Sequence, residues 1–358
     1  MTTPHLLLDL AKVDRNTARL RDHITALGST LRPHVKTAKS VDVARRIFNG
    51  GTGPITVSTL HEAEGFADHG FTDIVYAVGI APDKLPRAQA LRARGVDLVV
   101  LLDSVEQAHL ARAADVPALV EIDCDGHRGG VPPSDPVLLD IAAALGDHLR
   151  GVLTHAGESY FCYTEEALTA AAENERATAV QAAKTLRAAG FPSPVVSIGS
   201  TPTAHFARDL TGVTEVRAGN YVFFDLVMAG IGVCTLDDLA LSVVTTVIGH
   251  RADKGWILTD AGWMATSRDR GTANQPTDQG YGLVTDLDGD LIPDLVMTGA
   301  SQEHGVLSMR EGTTTPLPNL PVGTRLRVLP NHACATAAQH DRYELTTSDT
   351  AWSRLNGW

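Results

Sequence analysis

The sequence predicts an α/β chain in which an N-terminal (β/α)8 barrel of the TIM type is followed by a mostly β domain. Three observations predict it. From residue 10 to about 240, short apolar runs alternate with helical stretches of about 10–15 residues, the pattern of βα units around a parallel sheet. The runs number about eight, which suits a closed barrel better than an open doubly wound sheet. After about residue 238 the helical spacing fades, and β-branched runs divided by Gly, Pro and Asp-Gly turns take over.

In order, the first strand-like run lies near Leu31. Ile55–Val57, Ile74–Ala77, Leu98–Leu102, Ala118–Asp123, Gly151–Thr154 and Val195–Ile198 follow, and the last lies near Glu215. Between them Ser58–His69, Asp83–Arg94, Ser104–Ala114 and Thr164–Ala189 are rich in Ala, Arg and Glu at helical spacing. In the second domain the expected strands are Leu241–Ile248, Trp256–Thr259, Gly282–Thr285, Thr324–Leu329 and Arg342–Thr346. The division expected is 1–238 for the barrel and 239–358 for the β domain, with the first few residues as candidates to join the latter. Asp286–Asp294 (DLDGDLIPD) hints at a calcium loop, but its Gly289 is misplaced for one, and a hairpin turn is expected instead.

The 358 residues carry a net charge of −12, which argues against nucleic acid or an anionic membrane as the main partner. No run approaches the roughly 20 apolar residues that cross a bilayer. Met1–Asp9 has neither a basic segment nor a cleavage site, so no signal peptide and a cytoplasmic location are expected. Cys124, Cys162, Cys234 and Cys334 are widely spaced without a CxxC pair, which predicts free thiols, most of them buried, rather than a disulfide framework.

Several segments carry residues suited to chemistry. LRPHVKTAKS places Lys36 soon after a strand, at the rim where barrel enzymes keep reacting groups. Arg32, His34 and Lys39 nearby disfavour a further positive charge, which suits an amine that forms a Schiff base. The bland alternative is a solvated basic loop. IGSTPT at Ile198–Thr203 and RAGNYVFFD at Arg217–Asp225 offer backbone N–H groups and hydroxyls to a phosphate, although Gly-Ser-Thr is also ordinary turn chemistry. DCDGHRGG presents Arg128 to a cofactor oxygen or a substrate carboxylate, and THAGESY presents His155 and Tyr160 to the barrel mouth. In the second domain, NHAC places His332 and Cys334 two residues apart, so that on a strand they would share a face. Imidazole and thiolate together suit Zn²⁺ and leave coordination positions open. TGASQEHG adds Gln302 and His304, a run dense in proton-handling groups.

Taken together and in this order, RPHVKT, HAGESY, GSTPT, RAGNYVFFD, SQEHG and PNHACATAAQHDRY resemble the D-serine dehydratase and D-threonine aldolase family, over roughly residues 5–345. The resemblance implies the alanine-racemase-like (fold type III) architecture of pyridoxal 5′-phosphate (PLP) enzymes. It implies that Lys36 holds PLP as a Schiff base and that Arg128 lies near the cofactor ring. His155 and Tyr160 would line the pocket. Gly199, Ser200 and Thr201 would hold the phosphate, helped by Gly219, Asn220 and Tyr221. His332 and Cys334 would bind a divalent metal that meets the substrate's β-hydroxyl, with Gln302 and His304 near it as further catalytic candidates. A homodimer acting on a small D-amino acid is implied as well.

Within that family the dehydratases resemble His-x-Cys at the metal pair and the aldolases His-x-Asp. Cys334 therefore favours the dehydratase, and Zn²⁺ over Mn²⁺ or Mg²⁺. The expected reaction removes water from D-serine, D-threonine or D-threo-3-hydroxyaspartate to give a 2-oxo acid and ammonia. The alternative is retro-aldol cleavage to glycine and an aldehyde. A racemase would need a second base, for which Tyr281 and Tyr343 are the tyrosines of the β domain. A non-catalytic PLP-binding barrel would lack residues 240–358.

Overall fold

The structure, a computed structural model, describes residues 2–358. The chain divides into two compact units, one made of the residues up to Asn16 with Val222–Arg354, the other of Thr17–Tyr221 with Leu355–Trp358.

Strand β1 (His5–Leu8) and helix α1 (Leu10–Ala26) open the chain. Eight parallel strands then alternate with helices: β2 (Thr30–Pro33), α2 (Val41–Ile47), β3 (Ile55–Val57), α3 (Leu60–Ala67), β4 (Asp73–Gly79), α4 (Leu85–Ala93), β5 (Asp97–Leu102), α5 (Val105–Ala113), β6 (Ala118–Ile122), α6 (Val137–Leu145), β7 (Leu149–Thr154), α7 (Glu165–Ala188), β8 (Val195–Ile198), α8 (Thr201–Phe206) and β9 (Glu215–Ala218). Their order is β2-β9-β8-β7-β6-β5-β4-β3, and a parallel bridge from His34 to Thr56 joins the two ends, so the sheet is a nearly closed barrel.

These strands form because their side chains are buried on both faces, which selects short continuous apolar runs such as LVVLL in β5. Val75, Leu101, Leu119 and Leu153, one from each of β4 to β7, make a contiguous buried cluster. Each such side chain contributes about 1.5–3 kcal/mol relative to exposure. On β2, β8 and β9 the buried positions are instead charged and hydroxylated. Arg32 donates to Glu215 at 2.7 Å, Ser197 donates to the other Glu215 oxygen at 2.7 Å, and the buried Arg217 donates to Ser197 Oγ at 2.8 Å.

The other unit adds α9 (Leu226–Gly230), β10 (Leu241–Arg251), β11 (Trp256–Thr259), α10 (Trp263–Thr266), β12 (Gly282–Thr285), β13 (Leu291–Ala300), β14 (Gly305–Met309), β15 (Arg325–Pro330), α11 (Ala333–Ala337), β16 (Arg342–Leu345) and β17 (Ser348–Ser353). Its nine-stranded sheet runs β11-β14-β13-β12-β15-β10-β1-β16-β17, and an extra β10–β11 pairing closes the first six strands on themselves. Strand β1 pairs antiparallel with β10 and parallel with β16.

Asp286–Asp290 turns between β12 and β13, with Asp286 Oδ1 accepting from the N–H groups of Asp288, Gly289 and Asp290, so a hairpin stands where the calcium hint was set aside. The four cysteines are free thiols of intermediate exposure, less buried than expected. Among the described residues no helix is long and apolar enough to cross a membrane.

Candidate active site

Lys36, Arg128, His155, Gly199–Thr201 and Gly219–Tyr221 follow the C-terminal ends of β2, β6, β7, β8 and β9 respectively. The parallel sheet therefore gathers five segments, distant in sequence, at one rim of the barrel.

The Lys36 loop is fixed by backbone bonds to both neighbouring strands. His34 N–H donates to Ala218 O at 2.7 Å and Val35 N–H to Thr56 O at 2.9 Å. Lys39, in the left-handed region at φ 46°, sets its ammonium 3.1 Å from the fully buried Glu62. Lys36 itself is exposed.

Electrostatics link the rim residues. Burial holds the His155 imidazole at about 3, with Arg128, Lys36 and Arg217 adding to the effect. Burial likewise pushes His34 well down, and Lys36, Arg217 and His155 act in the same direction. Both rings are neutral near pH 7. His155 Nδ1 lies 3.1 Å from Gly199 O, an acceptor, so the proton sits on Nδ1 and Nε2 is left as an acceptor. The Tyr160 ring stands 6.4 Å from His155, tilted by 54°. Burial lowers the Arg217 guanidinium to about 10, which leaves it charged.

The loop after β8 is built around backbone that only glycine allows. A Cβ on Gly199, at φ 137°, would lie 2.0 Å from Arg217 O, and one on Gly219 would lie 2.7 Å from His34 O. Ser200 caps α8 and forms a capping box with Thr203. Ser200 N–H donates to Thr203 Oγ1 at 3.0 Å, and Ser200 Oγ contacts Ser159 Oγ at 2.9 Å. Gly199 N–H donates to the carboxylate of Glu175 at 2.9 Å. Thr201 Oγ1 accepts from Tyr221 N–H at 3.3 Å, which leaves the threonine hydroxyl proton to be donated elsewhere. Tyr221 takes part through its backbone, since its ring is fully buried and burial pushes its hydroxyl well above the usual phenol range.

These residues fit PLP. A lysine amine, two guanidinium groups and two neutral imidazoles meet hydroxyl and backbone donors at one rim. Two buried polar atoms beside the lysine loop, His34 Nδ1 and Thr56 Oγ1, have no hydrogen-bond partner among the described residues.

In the other unit, His332 and Cys334 do not lie on a strand, contrary to the sequence-based expectation. His332 caps α11 and Cys334 sits in its first turn. The Ala-rich run after His332 continues as helix, and the pair straddles its start, with His332 at the extended N-cap position and Cys334 in the first turn. The flanking peptide is pinned: Ala333 N–H donates to Asp225 Oδ2 at 2.9 Å, and Asn331 Oδ1 accepts from the Thr272 N–H at 3.1 Å and from its hydroxyl. His332 Nδ1 lies 2.6 Å from Asp269 Oδ2. Burial opposes a charge on His332, but Cys334 and Asp269 outweigh it and raise the imidazole to about 11. Asp269 is held below the usual carboxylate range by His332.

An imidazole whose Nδ1–H is bound by a carboxylate turns its other nitrogen toward a metal, so His332 and Cys334 fit a soft divalent ion. Among the described residues no group of three or more His, Cys, Asp or Glu is placed to hold one. A two-ligand site of this kind leaves positions open for water or substrate. Gln302 and His304 lie exposed on the turn between β13 and β14. The backbone of that turn binds α10, as Met264 N–H donates to Gln302 O at 3.1 Å, and α10 in turn accepts the Thr336 hydroxyl of α11 at Thr266 O.

Sequence reasoning named the segment Arg217–Asp225 without giving Arg217 or Asp225 a role of its own, and it missed Asp269 and Glu175. Glu175 left a signal, because it falls on the buried stripe of α7 with Leu168, Ala172 and Ala179.

A barrel rim built around a lysine, and a His–Cys pair on a β unit, define a fold type III, alanine-racemase-like enzyme. Residues 8–227 match the alanine racemase N-terminal domain family and residues 240–346 a serine dehydratase domain family. The chain is 55% identical to the D-threo-3-hydroxyaspartate dehydratase of Delftia sp. strain HT23, with 100% of this chain and 98% of the relative covered. A cysteine-to-alanine variant of that enzyme in a metal-free form superposes with a TM-score of 0.96 at 54% identity, covering 100% and 98% of the two chains. The D-serine dehydratase of Dictyostelium discoideum is 29% identical over 98% of this chain and 94% of the relative. The D-threonine aldolase of Filomicrobium marinum superposes with a TM-score of 0.81 at 25% identity, covering 99% and 95%. The chain belongs to the D-serine dehydratase and D-threonine aldolase family, for which PLP is the expected cofactor.

Proposed function

We propose that this chain is a PLP- and metal-dependent lyase that eliminates water from a D-3-hydroxy amino acid, with D-threo-3-hydroxyaspartate as the first substrate to test. The observation that carries the proposal is the 55% identity over the whole chain to an enzyme named for that dehydration. Cys334 beside His332 supports it, because a thiolate and an imidazole favour Zn²⁺ over Mn²⁺ or Mg²⁺.

When bound, PLP supplies an electron sink for charge at the substrate's Cα, and the metal supplies a Lewis acid toward its β-oxygen. The work of the protein follows from its own residues. Lys36 would carry the cofactor, and its amine would serve as the base that takes the Cα proton. The neutral His155 and the Tyr160 ring line the cofactor pocket, with Arg128 beside them as the exposed cation. Thr201 turns its hydroxyl proton to the phosphate, supported by Gly219 and the backbone of Asn220. His332 and Cys334 hold the metal, and Asp269 fixes the His332 tautomer that can ligate it. Gln302 and His304 remain candidates for handling the proton that leaves with the β-hydroxyl. The chain works as a homodimer on this reading.

Lys36→Ala tests it. The variant should lose both the near-visible absorbance of lysine-bound PLP and all turnover, and retention of both would overturn the assignment of Lys36. Chelation should suppress turnover while PLP stays bound. Full activity after verified metal removal would overturn the roles of His332 and Cys334.

A further inference from the structure

Glu175 is fully buried in the barrel unit, on a helix that supplies no group to the rim. Its carboxylate is nonetheless the shared acceptor of two rim loops. Oε1 accepts Ala156 N–H at 2.9 Å from the loop after β7, and Gly199 N–H at 2.9 Å from the loop after β8. Oε2 accepts the Thr203 hydroxyl at 2.6 Å. Ala156 is adjacent to His155, and Gly199 and Thr203 bracket Ser200 and Thr201. One carboxylate thus spans the segment that lines the cofactor ring and the segment that holds its phosphate.

Both Glu175 oxygens accept here, so the Thr203 hydroxyl proton is directed to the carboxyl group. Thr203 gives its proton to Glu175, and its oxygen therefore accepts Ser200 N–H at 3.0 Å. Ser159 gives its proton to Ala156 O at 2.7 Å, so Ser200 Oγ, 2.9 Å from both Ser159 Oγ and Thr203 Oγ1, donates its proton to one of these two oxygens. Ser200 Oγ in turn accepts Thr203 N–H at 3.2 Å. The polar atoms of Ser200 and the N–H of Gly199 are consumed inside this ring, and the buried Thr201 hydroxyl, which accepts from Tyr221 N–H, keeps a proton that this ring does not take up. Burial raises the Glu175 carboxyl, while the three donors and Arg217 counter that rise.

We infer that Glu175 is a positioning residue for the cofactor. It locks the His155 loop and the Gly199–Thr203 loop in one register, with Thr201 as the hydroxyl contact to the phosphate. The inference rests on the PLP reading above and adds to it a residue that touches no part of the cofactor.

The test uses Glu175→Gln and Glu175→Ala, with Glu173→Gln, an exposed neighbour on α7, as control. Each apoprotein is titrated with PLP, and binding is read from the absorbance of the lysine-bound cofactor. The unfolding midpoint of each apoprotein is measured in parallel. The parent must take up PLP, and failure there would overturn the PLP reading itself and this inference with it. Glu175→Ala should weaken PLP about 10–100-fold, the range seen when a supporting ligand is lost. Glu175→Gln keeps an acceptor for the backbone donors but meets Thr203 with an N–H, so it should show a smaller loss and a shifted phosphorus resonance of bound PLP. Glu173→Gln should match the parent. PLP affinity within about twofold of the parent in both Glu175 variants would overturn the inference. So would a loss in Glu175→Gln that only follows a collapse of apoprotein stability, since that is the mark of a merely structural carboxylate.

Discussion

Replacing Asp269 by Ala should weaken metal binding about 10–30-fold and leave PLP binding unchanged. The carboxylate contributes one hydrogen bond, 2.6 Å from His332 Nδ1, and that bond fixes both the tautomer and the orientation of the ring. A hydrogen bond to a charged group is worth about 1.5–3 kcal/mol when buried. Here the Asp269 side chain is 33% exposed and the His332 side chain 40%, so solvent screening reduces that value. A remainder of about 1.4–2 kcal/mol corresponds to the stated factor. Asp269→Asn keeps an acceptor oxygen of the same reach and should lose less. Competition between the apoprotein and a chromophoric zinc chelator measures the constant directly. Affinity within about twofold of the parent in Asp269→Ala would refute the reasoning, because a ring free to turn would then bind as well as one held in place.

The buried histidines predict a pH dependence of stability. His155 titrates at about 3 in the folded state against 6.5 when unfolded, so the unfolded chain binds the extra proton between those values. The contribution of neutral His155 is therefore complete above pH 6.5 and is lost as pH falls toward 3; His155→Gln should flatten this acid limb, read as urea midpoints of the apoprotein across that range, and an unchanged limb would count against it. Tyr343→Phe should lower stability and spare turnover. The fully buried Tyr343 hydroxyl accepts from Arg354 Nε at 2.8 Å, and removing it leaves that one N–H without its acceptor, while Nη1 still donates to Ala337 O and His340 O, at a cost of about 1–3 kcal/mol, or about 2–4 °C for each kcal/mol in a differential scan. A large loss of turnover at unchanged stability would instead point to Tyr343 as the second base of a racemase.

The barrel was legible because buried parallel strands concentrate apolar residues. Ile55–Val57 and Val195–Ile198 stand out for that reason, and both are strands with those bounds. The β unit was legible only in part. Leu291–Ala300 carries Pro293, Asp294 and Gly299, which read as turn residues although they lie in β13. His5–Leu8 is too short to reveal by periodicity that it pairs with β10 and β16. His332 and Cys334 were found by residue type, but their local structure was misjudged, because two-residue spacing suggests a strand, whereas His332 is the extended residue that caps an Ala-rich helix. Asp269 lies 63 residues before His332. No local pattern announces such a contact, since the turn after α10 and the start of α11 meet only in the folded unit. Glu175 sits in an Ala- and Glu-rich helix where acids are ordinarily solvated, and only its phase with the apolar stripe marks it out.

The dehydration itself is tested most directly by product analysis. The protein loaded with PLP and Zn²⁺ is incubated separately with D-threo-3-hydroxyaspartate, D-serine and D-threonine, and 2-oxo acid, ammonia, glycine and aldehyde are measured together. The expected result is 2-oxo acid and ammonia in equal amounts, fastest with D-threo-3-hydroxyaspartate, with no glycine. Glycine and aldehyde in equal amounts, without ammonia, would contradict the dehydratase and assign the chain to the aldolases.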